Sequence, residues 1–465
     1  MKIKSKGYHI TRTEATEDRI NGRGGLSFVL RYIEKVKFFS LIESVLVGLC
    51  SNKKGKSAGM IIRQVMAKMI DGTDHSISGF DGLKRDEGYG AVIETSQDDL
   101  VSSHIVKRFF KRFIHGKDKL FRKVLTELFV WRLRTTRPSV IILDMDTMVL
   151  DNDGAKKRHG VDVTYKNKKG FQPLQLSWGT KIVDALFRRG SAHSNHGEDA
   201  KAMVKRAVET IRSRYSEEVP IIVTMDSGFF DQKNLEYFED KLKIFYVVTG
   251  KLYEGIKNHV KGLEEKEFKD FMGKSNRWRY VEFGSKLDSW VKFRRAIYTS
   301  LVQEDGQMLL EFARPDTVLY TNIGMSGDMT GQLKATGNED CLRAEKIIAI
   351  AHGRGSSELN HRSFKEFIGR EQLPFKLFGM NGAYYYVQLI THFLFECYKE
   401  DVAFEAIPVT SYPTTFRRKL IDFAAKIIGT GNRVILQAAK AFWKESKLDE
   451  VWRRCNSPTP IAFSS

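Results

Sequence analysis

The order of apolar runs between residues 139 and 250 most constrains what this chain can fold into. Short apolar or alternating runs are typical of strands, whereas an apolar stripe that recurs about every 3.6 residues is typical of a helix. The predicted elements are strands at 140–143, 161–165, 174–178 and 182–187, a helix at 198–215, a strand at 221–225, a helix at 231–241 and a strand at 244–248. Strands interleaved with helices in this way predict an α/β layer.

Two of these apolar runs end in aspartate. Asp146 follows the run that begins at residue 139, and Asp226 follows the run 219–225. Asp144 lies two residues before Asp146, so on a strand both carboxylates project from the same face. Either one is a candidate metal ligand, and the small polar Thr147 that follows favours Asp146. Aspartates after apolar runs are also common as turn or helix N-cap residues.

A third acidic residue, Glu358, lies in a segment with helical character. Arg354 and Glu358 are i,i+4 neighbours, and Lys365 lies two turns further along the same face. This spacing suits a metal ligand among phosphate-binding groups, and it suits an exposed stripe of ion pairs equally well. Together, Asp146, Asp226 and Glu358 are a candidate set for Mg²⁺, with Mn²⁺ as a second possibility, because these cations prefer oxygen ligands. Such a metal site would serve phosphoryl transfer.

The chain is strongly basic. Its 76 Lys and Arg residues exceed its 57 Asp and Glu residues by 19, which predicts a polyanionic partner, nucleic acid before an anionic membrane surface. Residues 101–137 are the most basic stretch, and phenylalanines interleave with the cations. The candidates for phosphate contact there are Lys107, Arg108, Lys111 and Arg112. The alternative is a solvated helix face whose long cationic stems cover apolar surface.

Several classes of protein are excluded by the composition. The four cysteines are scattered without a CxxC pair, which argues against a zinc ribbon or a disulfide framework and fits a reducing cytoplasm. The N-terminal charges are not followed by an apolar run, and no apolar segment is long enough to span a bilayer. We therefore expect a soluble, cytoplasmic protein without a membrane partner.

The three acidic residues and their surroundings resemble one family. The spacing Arg354-x3-Glu358-x6-Lys365 is similar to the signature Tyr-x2-Arg-x3-Glu-x6-Lys of the cut-and-paste branch of bacterial insertion-sequence DDE transposases. The segments 143–147 and 225–229 resemble the first and second aspartate motifs of that branch, and the likeness spans roughly residues 25–440. The signature tyrosine falls on Ala351, which leaves His352, the next residue, as the candidate for the corresponding DNA phosphate contact.

The resemblance implies a fold and a division of the chain. It implies a ribonuclease-H-like α/β core, with a mixed five-stranded sheet and flanking helices, that is interrupted by a β-rich insertion and preceded by a helical DNA-binding region. The alternation of charged and aromatic residues after residue 250 agrees with such an insertion. The expected parts are a basic helical DNA-binding region (1–138), the first part of the core (139–250), the β-rich insertion (251–335), the second part of the core (336–400) and a basic helical tail (401–465).

The resemblance also implies a function. The chain would be a transposase that binds terminal inverted repeats and target DNA, works at least as a dimer in the synaptic complex, and associates with the nucleoid. Arg354 and Lys365 would position phosphates. In some relatives a tryptophan of the insertion stacks on a flipped base, which makes Trp278 and Trp290 candidates, although strand packing explains either one. The alternatives are a metal-dependent nuclease without strand transfer and a catalytically inactive DNA-binding relative.

Overall fold

The computed structural model describes residues 10, 12–49, 55–193, 196–273, 276–302, 316–430 and 433–462. For residues 355–359 and 430 it describes the backbone and not the side chains. No helix among these residues is long and apolar enough to cross a bilayer.

Fifteen strands form three sheets in the described chain. The strands are β1 (Arg19–Asn21), β2 (Ile141–Thr147), β3 (Leu150–Asp151), β4 (Asp162–Val163), β5 (Lys169–Phe171), β6 (Leu174–Trp178), β7 (Lys181–Leu186), β8 (Ile221–Met225), β9 (Phe245–Thr249), β10 (Lys269–Met272), β11 (Arg277–Ser285), β12 (Arg294–Leu301), β13 (Asp316–Thr321), β14 (Ala425–Thr430) and β15 (Arg433–Gln437).

The central sheet contains nine of the described strands, in the order β10-β11-β12-β13-β9-β8-β2-β6-β7. Strand β8 pairs parallel with both β2 and β9, and β6 pairs antiparallel with both β2 and β7. The predicted mixed α/β architecture is therefore confirmed. The sheet is larger than the five strands expected, because β13 pairs antiparallel with β9 and covers an edge that would otherwise expose unpaired backbone groups. The four strands between residues 269 and 321 thus continue the central sheet.

One predicted strand lies elsewhere. The predicted strand 161–165 was expected to lie beside the strands at 174–178 and 182–187. Instead, β4 pairs with β5, which in turn pairs with β3, in a separate three-stranded sheet. Exposed polar and basic residues from 165 to 168 form the turn between β4 and β5. This short hairpin lies in the segment of the chain between β2 and β6.

Seventeen α-helices surround the sheets in the described residues. They are α1 (Leu26–Lys35), α2 (Phe38–Leu46), α3 (Ala58–Asp71), α4 (Gly79–Leu83), α5 (Glu87–Val92), α6 (Ser103–Phe110), α7 (Leu120–Thr136), α8 (Asp199–Arg214), α9 (Gln232–Glu236), α10 (Glu254–Lys261), α11 (Gly327–Ala335), α12 (Ala344–Gly353), α13 (Gly355–Ile368), α14 (Phe378–Tyr398), α15 (Pro413–Phe416), α16 (Lys440–Glu445) and α17 (Leu448–Cys455).

Helix α14 joins the N-terminal helices to the central sheet. Nearly all of its residues from Met380 onward are buried, as expected for a helix that is apolar on every side. It contacts α3 and α7 of the N-terminal helical region, and also β7 and α13. Just beyond its end, Asp401 accepts hydrogen bonds from Tyr32 of α1 and Arg132 of α7. The helical region before residue 138 therefore shares one hydrophobic core with the sheet.

The C-terminal tail is not wholly helical as expected. Strands β14 and β15 form a hairpin that pairs with β1 near the N-terminus. The β-branched pairs Ile427–Ile428 and Val434–Ile435 flank the glycine-containing segment 429–432, which is a hairpin pattern. The helical prediction was wrong here because it rested on the basic residues of the tail and did not take these β-branched pairs into account.

Candidate active site

Asp146 and Asp226 meet at one edge of the central sheet. Strands β2 and β8 are adjacent and parallel, and Met145 is in register with Met225. The next residue after each of these methionines is the aspartate: Asp146 within β2 and Asp226 directly after the end of β8, so the two aspartates lie at the same level of the sheet. Both line a cleft of about 840 Å³. The sheet register therefore brings together two aspartates that are 80 residues apart in the sequence.

Asp144 lies on the same strand face but has a different environment. Burial alternates along β2, with Asp144 and Asp146 both on the less buried face. One carboxylate oxygen of Asp144, Oδ1, accepts hydrogen bonds from the Thr224 hydroxyl at 2.7 Å and from Arg354 Nε at 2.7 Å. Asp146 instead accepts a bond from the backbone N–H of Thr147 at 2.7 Å and faces the cleft. Asp144 thus anchors Arg354, which itself lines the cleft.

Asp226 is held in place by its own turn. Its side chain caps the short helical turn Ser227–Phe229, where Oδ1 accepts a hydrogen bond from the backbone N–H of Gly228 at 2.8 Å. The N-cap role, which the sequence offered as an alternative to metal binding, is therefore confirmed for Asp226. The bond leaves the other carboxylate oxygen, Oδ2, for further contacts, because a carboxylate offers two acceptor oxygens.

The electrostatics of the cleft suit a cation. The pKa of Asp146 is raised to about 7. Burial is the largest cause, the positive charge of Arg354 opposes it, and the negative charges of Asp144 and Asp226 act in the same direction as burial. Crowded carboxylates disfavour one another's charged forms, and a bound cation relieves that repulsion. Hard oxygen donors in this arrangement fit a divalent ion such as Mg²⁺. The described side chains do not include Glu358, and among them no three His, Cys, Asp or Glu residues are grouped as ligands.

Helix α13 faces the two aspartates across the cleft. Arg354 separates α12 from α13, and its own backbone dihedrals are helical. Glu358 lies on α13, but its side chain is outside the described residues. Lys365 lines the cleft and forms an ion pair with Glu371 at 2.9 Å. The predicted helical face is thus placed opposite the strand ends, with both flanking cations already paired to carboxylates.

One cleft residue was missed by the sequence analysis. His361 lines the cleft, and its Nδ1 lies 3.8 Å from Asp146 Oδ2. Burial lowers the pKa of His361 to about 4, so the imidazole is neutral at physiological pH. It follows Arg354 by two helical turns, a spacing that places both residues on the same helix face. This spacing is the feature of the sequence that could have identified His361 as a cleft residue.

His352 and Trp278 form an aromatic pair outside the cleft lining. The two ring centres lie 4.5 Å apart, and the ring of Phe271, which is paired with Trp278 across β10 and β11, lies 6.4 Å from that of the histidine. Burial lowers the pKa of His352. The contact connects the end of α12 to strand β11. A residue proposed for a phosphate contact and one proposed for base stacking are therefore packed on each other.

Trp290 does not have the exposure that base stacking requires. Only 4% of its surface is exposed. Its ring packs edge-to-face against the stacked pair Phe230 and Tyr320, with Arg294 above it at 4.5 Å. In this conformation the burial of Trp290 favours the packing explanation over stacking on a flipped base. Its position on a loop that folds back into the core was not readable from the local aromatic pattern.

The basic stretch divides into exposed and buried cations. Lys107, Arg108 and Lys111 are exposed around the end of α6. Arg112 is half-buried and donates a hydrogen bond to the Leu49 carbonyl at 3.1 Å, so it is partly committed to the fold. Arg132, further along, is buried in an ion pair with Asp401. The surface available to a polyanion is therefore smaller than the sequence count suggests.

The fold and the cleft define an α/β protein with acidic residues gathered at the ends of two adjacent parallel strands. The chain belongs to the transposase family described as transposase DDE domain group 1, whose model matches residues 9–457. The predicted relation to DDE transposases is thus confirmed at the level of the family. DDE transposase domains generally use divalent metal ions, which agrees with the oxygen donors in the cleft.

No curated protein matches the chain. Among solved structures, the cryo-EM structure of the piggyBac transposase synaptic complex with hairpin DNA is similar, with 11% sequence identity and a TM-score of 0.39. The match covers 86% of this chain and 79% of that chain.

Proposed function

We propose that this protein is a DNA transposase that cleaves DNA at terminal inverted repeats and transfers the strands to target DNA. The observation that carries the proposal is the convergence of Asp146 and Asp226 in one cleft, opposite the helix that contains Glu358. Membership of the DDE transposase family supports the same chemistry. An insertion-sequence origin agrees with the spacing of Arg354, at the start of α13, and of Glu358 and Lys365 within it.

The residues of the cleft would have two different roles, metal binding and phosphate positioning. Asp146, Asp226 and Glu358 would hold Mg²⁺ or Mn²⁺; when bound, such a cation supplies Lewis-acid activation of an attacking oxygen and stabilises the leaving oxygen. Arg354, oriented by Asp144, would direct its guanidinium towards a phosphate, since Arg matches phosphate geometry in a bidentate manner. The geometry favours Asp146 over Asp144 as the first metal ligand, because Asp144 already accepts hydrogen bonds from Arg354 and Thr224.

We also place the core in the ribonuclease-H-like class. Strands β7, β6, β2, β8 and β9 are consecutive in the sheet, and of these five only β6 runs antiparallel to the others. The exposed cations Lys107, Arg108 and Lys111 on the N-terminal helices would contact DNA phosphates outside the cleft. Bringing two transposon ends together would require at least a dimer.

A joint cleavage and strand-transfer assay tests this function. The purified protein is given Mg²⁺, a duplex that carries the inverted repeat flanking its gene, and a supercoiled target plasmid. We expect nicked or cut end DNA together with joined product, and neither product in EDTA. Cleavage without joining would favour the nuclease alternative, whereas end binding without cleavage would favour a non-catalytic relative.

The choice between Asp144 and Asp146 has its own test. We expect Asp146→Asn to abolish cleavage at every Mg²⁺ concentration, because a ligand is lost. Asp144→Asn keeps the Thr224 hydrogen bond and weakens only the anchoring of Arg354, so cleavage should fall by about 10- to 100-fold, as for outer-shell groups. Single-turnover cleavage across an Mg²⁺ titration measures both. An inactive Asp144→Asn variant beside an active Asp146→Asn variant would assign the ligand to Asp144.

A further inference from the structure

The hairpin formed by β4 and β5 places two unassigned residues on the wall of the cleft. Its turn closes through the backbone N–H of Asn167, which donates to the Thr164 carbonyl at 2.9 Å, and Asn167 adopts a left-handed conformation with φ of 55°. Asn tolerates that conformation better than most residues. Tyr165 and Lys166 occupy the two central positions of the turn and both line the cleft with Asp146 and Asp226.

The base of this hairpin is fixed to the core. The Thr164 side chain is buried, and both its hydroxyl and its backbone N–H donate to the Lys168 carbonyl at 2.9 Å. Gly190 packs against the backbone carbonyls of Asp162 and Gly170, where a side chain would collide with both oxygens. The close approach requires glycine. The turn is thus a short projection on a rigid base.

Tyr165 and Lys166 are exposed although they lie near the carboxylates. Tyr165 is 57% exposed; partial burial raises the pKa of its phenol, and the charges of Asp146 and Asp226 add to that effect. The Lys166 ammonium lies 5.6 Å from the Tyr165 ring centre. Within the described side chains it has no carboxylate partner at ion-pair distance, whereas Arg354 and Lys365 are paired with Asp144 and Glu371.

We infer that Tyr165 and Lys166 form a clamp on the DNA strand whose phosphate enters the carboxylate cleft, an inference that rests on the proposed function. Lys166 contacts a backbone phosphate next to the scissile one, and the Tyr165 ring packs on the neighbouring nucleotide. Aromatic rings stack on bases of any sequence, and ammonium groups bind phosphate without reading sequence. The clamp therefore positions the strand for cutting and does not select the end sequence.

Neighbouring lysine Lys168 provides a matched control. It belongs to the same turn and carries the same charge, but it is paired with Asp151 at 2.8 Å and does not line the cleft. The variants are Lys166→Ala, Lys168→Ala, Tyr165→Ala and Tyr165→Phe in the full chain. The substrate is the duplex with the inverted repeat that flanks the gene, at saturating protein with Mg²⁺.

We expect Lys166→Ala to slow single-turnover cleavage by about tenfold or more, as misplacement of a reacting group does, while end binding measured by gel shift stays within about threefold. Tyr165→Ala should slow cleavage by about fivefold or more and Tyr165→Phe should not, because the ring provides the stacking. Lys168→Ala should cut like the wild type. A Lys166→Ala variant that cuts at the wild-type rate would overturn the clamp and leave the proposed function intact.

Lysine acetylation gives a readout that does not need cleavage. With the wild-type protein in Ca²⁺, the same duplex should slow acetylation of Lys166 by about fivefold or more relative to Lys168, as measured by mass spectrometry, since a phosphate contact shields the amine. Equal rates at both lysines would exclude the clamp. A wild-type protein that binds and protects Lys166 but never cuts would instead refute the proposed activity and keep the DNA contact.

Discussion

Asp226→Asn is expected to abolish DNA cleavage while DNA binding and folding are retained. Asn keeps the side-chain oxygen that accepts the Gly228 N–H bond, and Asn and Asp are comparable as N-cap residues. What is lost is the negative charge that a divalent cation needs. We expect cleavage to fall by more than about 100-fold, since even outer-shell partners of metal ligands cost 10- to 100-fold. Cleavage and gel-shift assays on the same duplex measure the two effects.

Asp231→Asn is the matched control for that substitution. Asp231 caps the next helix, α9, through a hydrogen bond from the Asn234 N–H at 3.1 Å, and it does not line the cleft. It should cut DNA like the wild type. If Asp226→Asn lost binding as well as cleavage, and unfolded at a lower denaturant concentration, Asp226 would be a structural residue and the metal assignment would fail.

Arg417→Ala is expected to cause a large loss of stability. The Arg417 side chain is only 7% exposed and donates hydrogen bonds to the carbonyls of Met69 and Ile70 at 2.7 and 2.8 Å and of Phe367 at 2.7 Å. These carbonyls belong to the last turns of α3 and α13, which have no partners within their own helices. Removal of the guanidinium leaves buried acceptors unsatisfied, at about 1–3 kcal/mol each.

We therefore expect the free energy of unfolding to fall by about 3 kcal/mol or more, read from the shift in the denaturation midpoint. Because Arg417 also anchors the end of α13, cleavage should fall in parallel even under native conditions. Arg418→Ala is the control, since Arg418 is exposed on the same helical segment. An Arg417→Ala variant as stable as Arg418→Ala would show that water satisfies the helix ends without the arginine.

The local structure of residues 139–250 could be predicted because its strands and helices each follow their own hydrophobic period. Strand β8 lies exactly where the run 221–225 was predicted, and β2, β6, β7, β9 and α8 lie within a few residues of their predicted positions. The C-terminal hairpin was wrongly predicted as helix because its basic residues resembled those of the helical segments; what local patterns could not show is its pairing with β1, some 400 residues earlier in the chain. Strand pairing between distant segments is a tertiary property that local patterns do not specify.

The arrangement of the candidate site residues could likewise be predicted only in part. The alternation that places Asp144 and Asp146 on one face follows from strand geometry, and so it was predictable. Their different partners were not, because Arg354 and Thr224 come from other elements. Trp290 was a candidate for base stacking because of the family resemblance, and only the packing of the folded chain revealed that it is buried.

The class of the protein could be predicted without the structure, from its basic charge, the α/β order of its elements, two aspartates at strand ends and the Arg-Glu-Lys spacing that resembles DDE transposases. The tertiary structure decided which acidic residue anchors Arg354, that His361 borders the cleft, and that the β4–β5 hairpin reaches the carboxylates. The physical reason is that periodicity sets which way a side chain points within its own element. The register between elements, which only the folded core fixes, sets what that side chain meets.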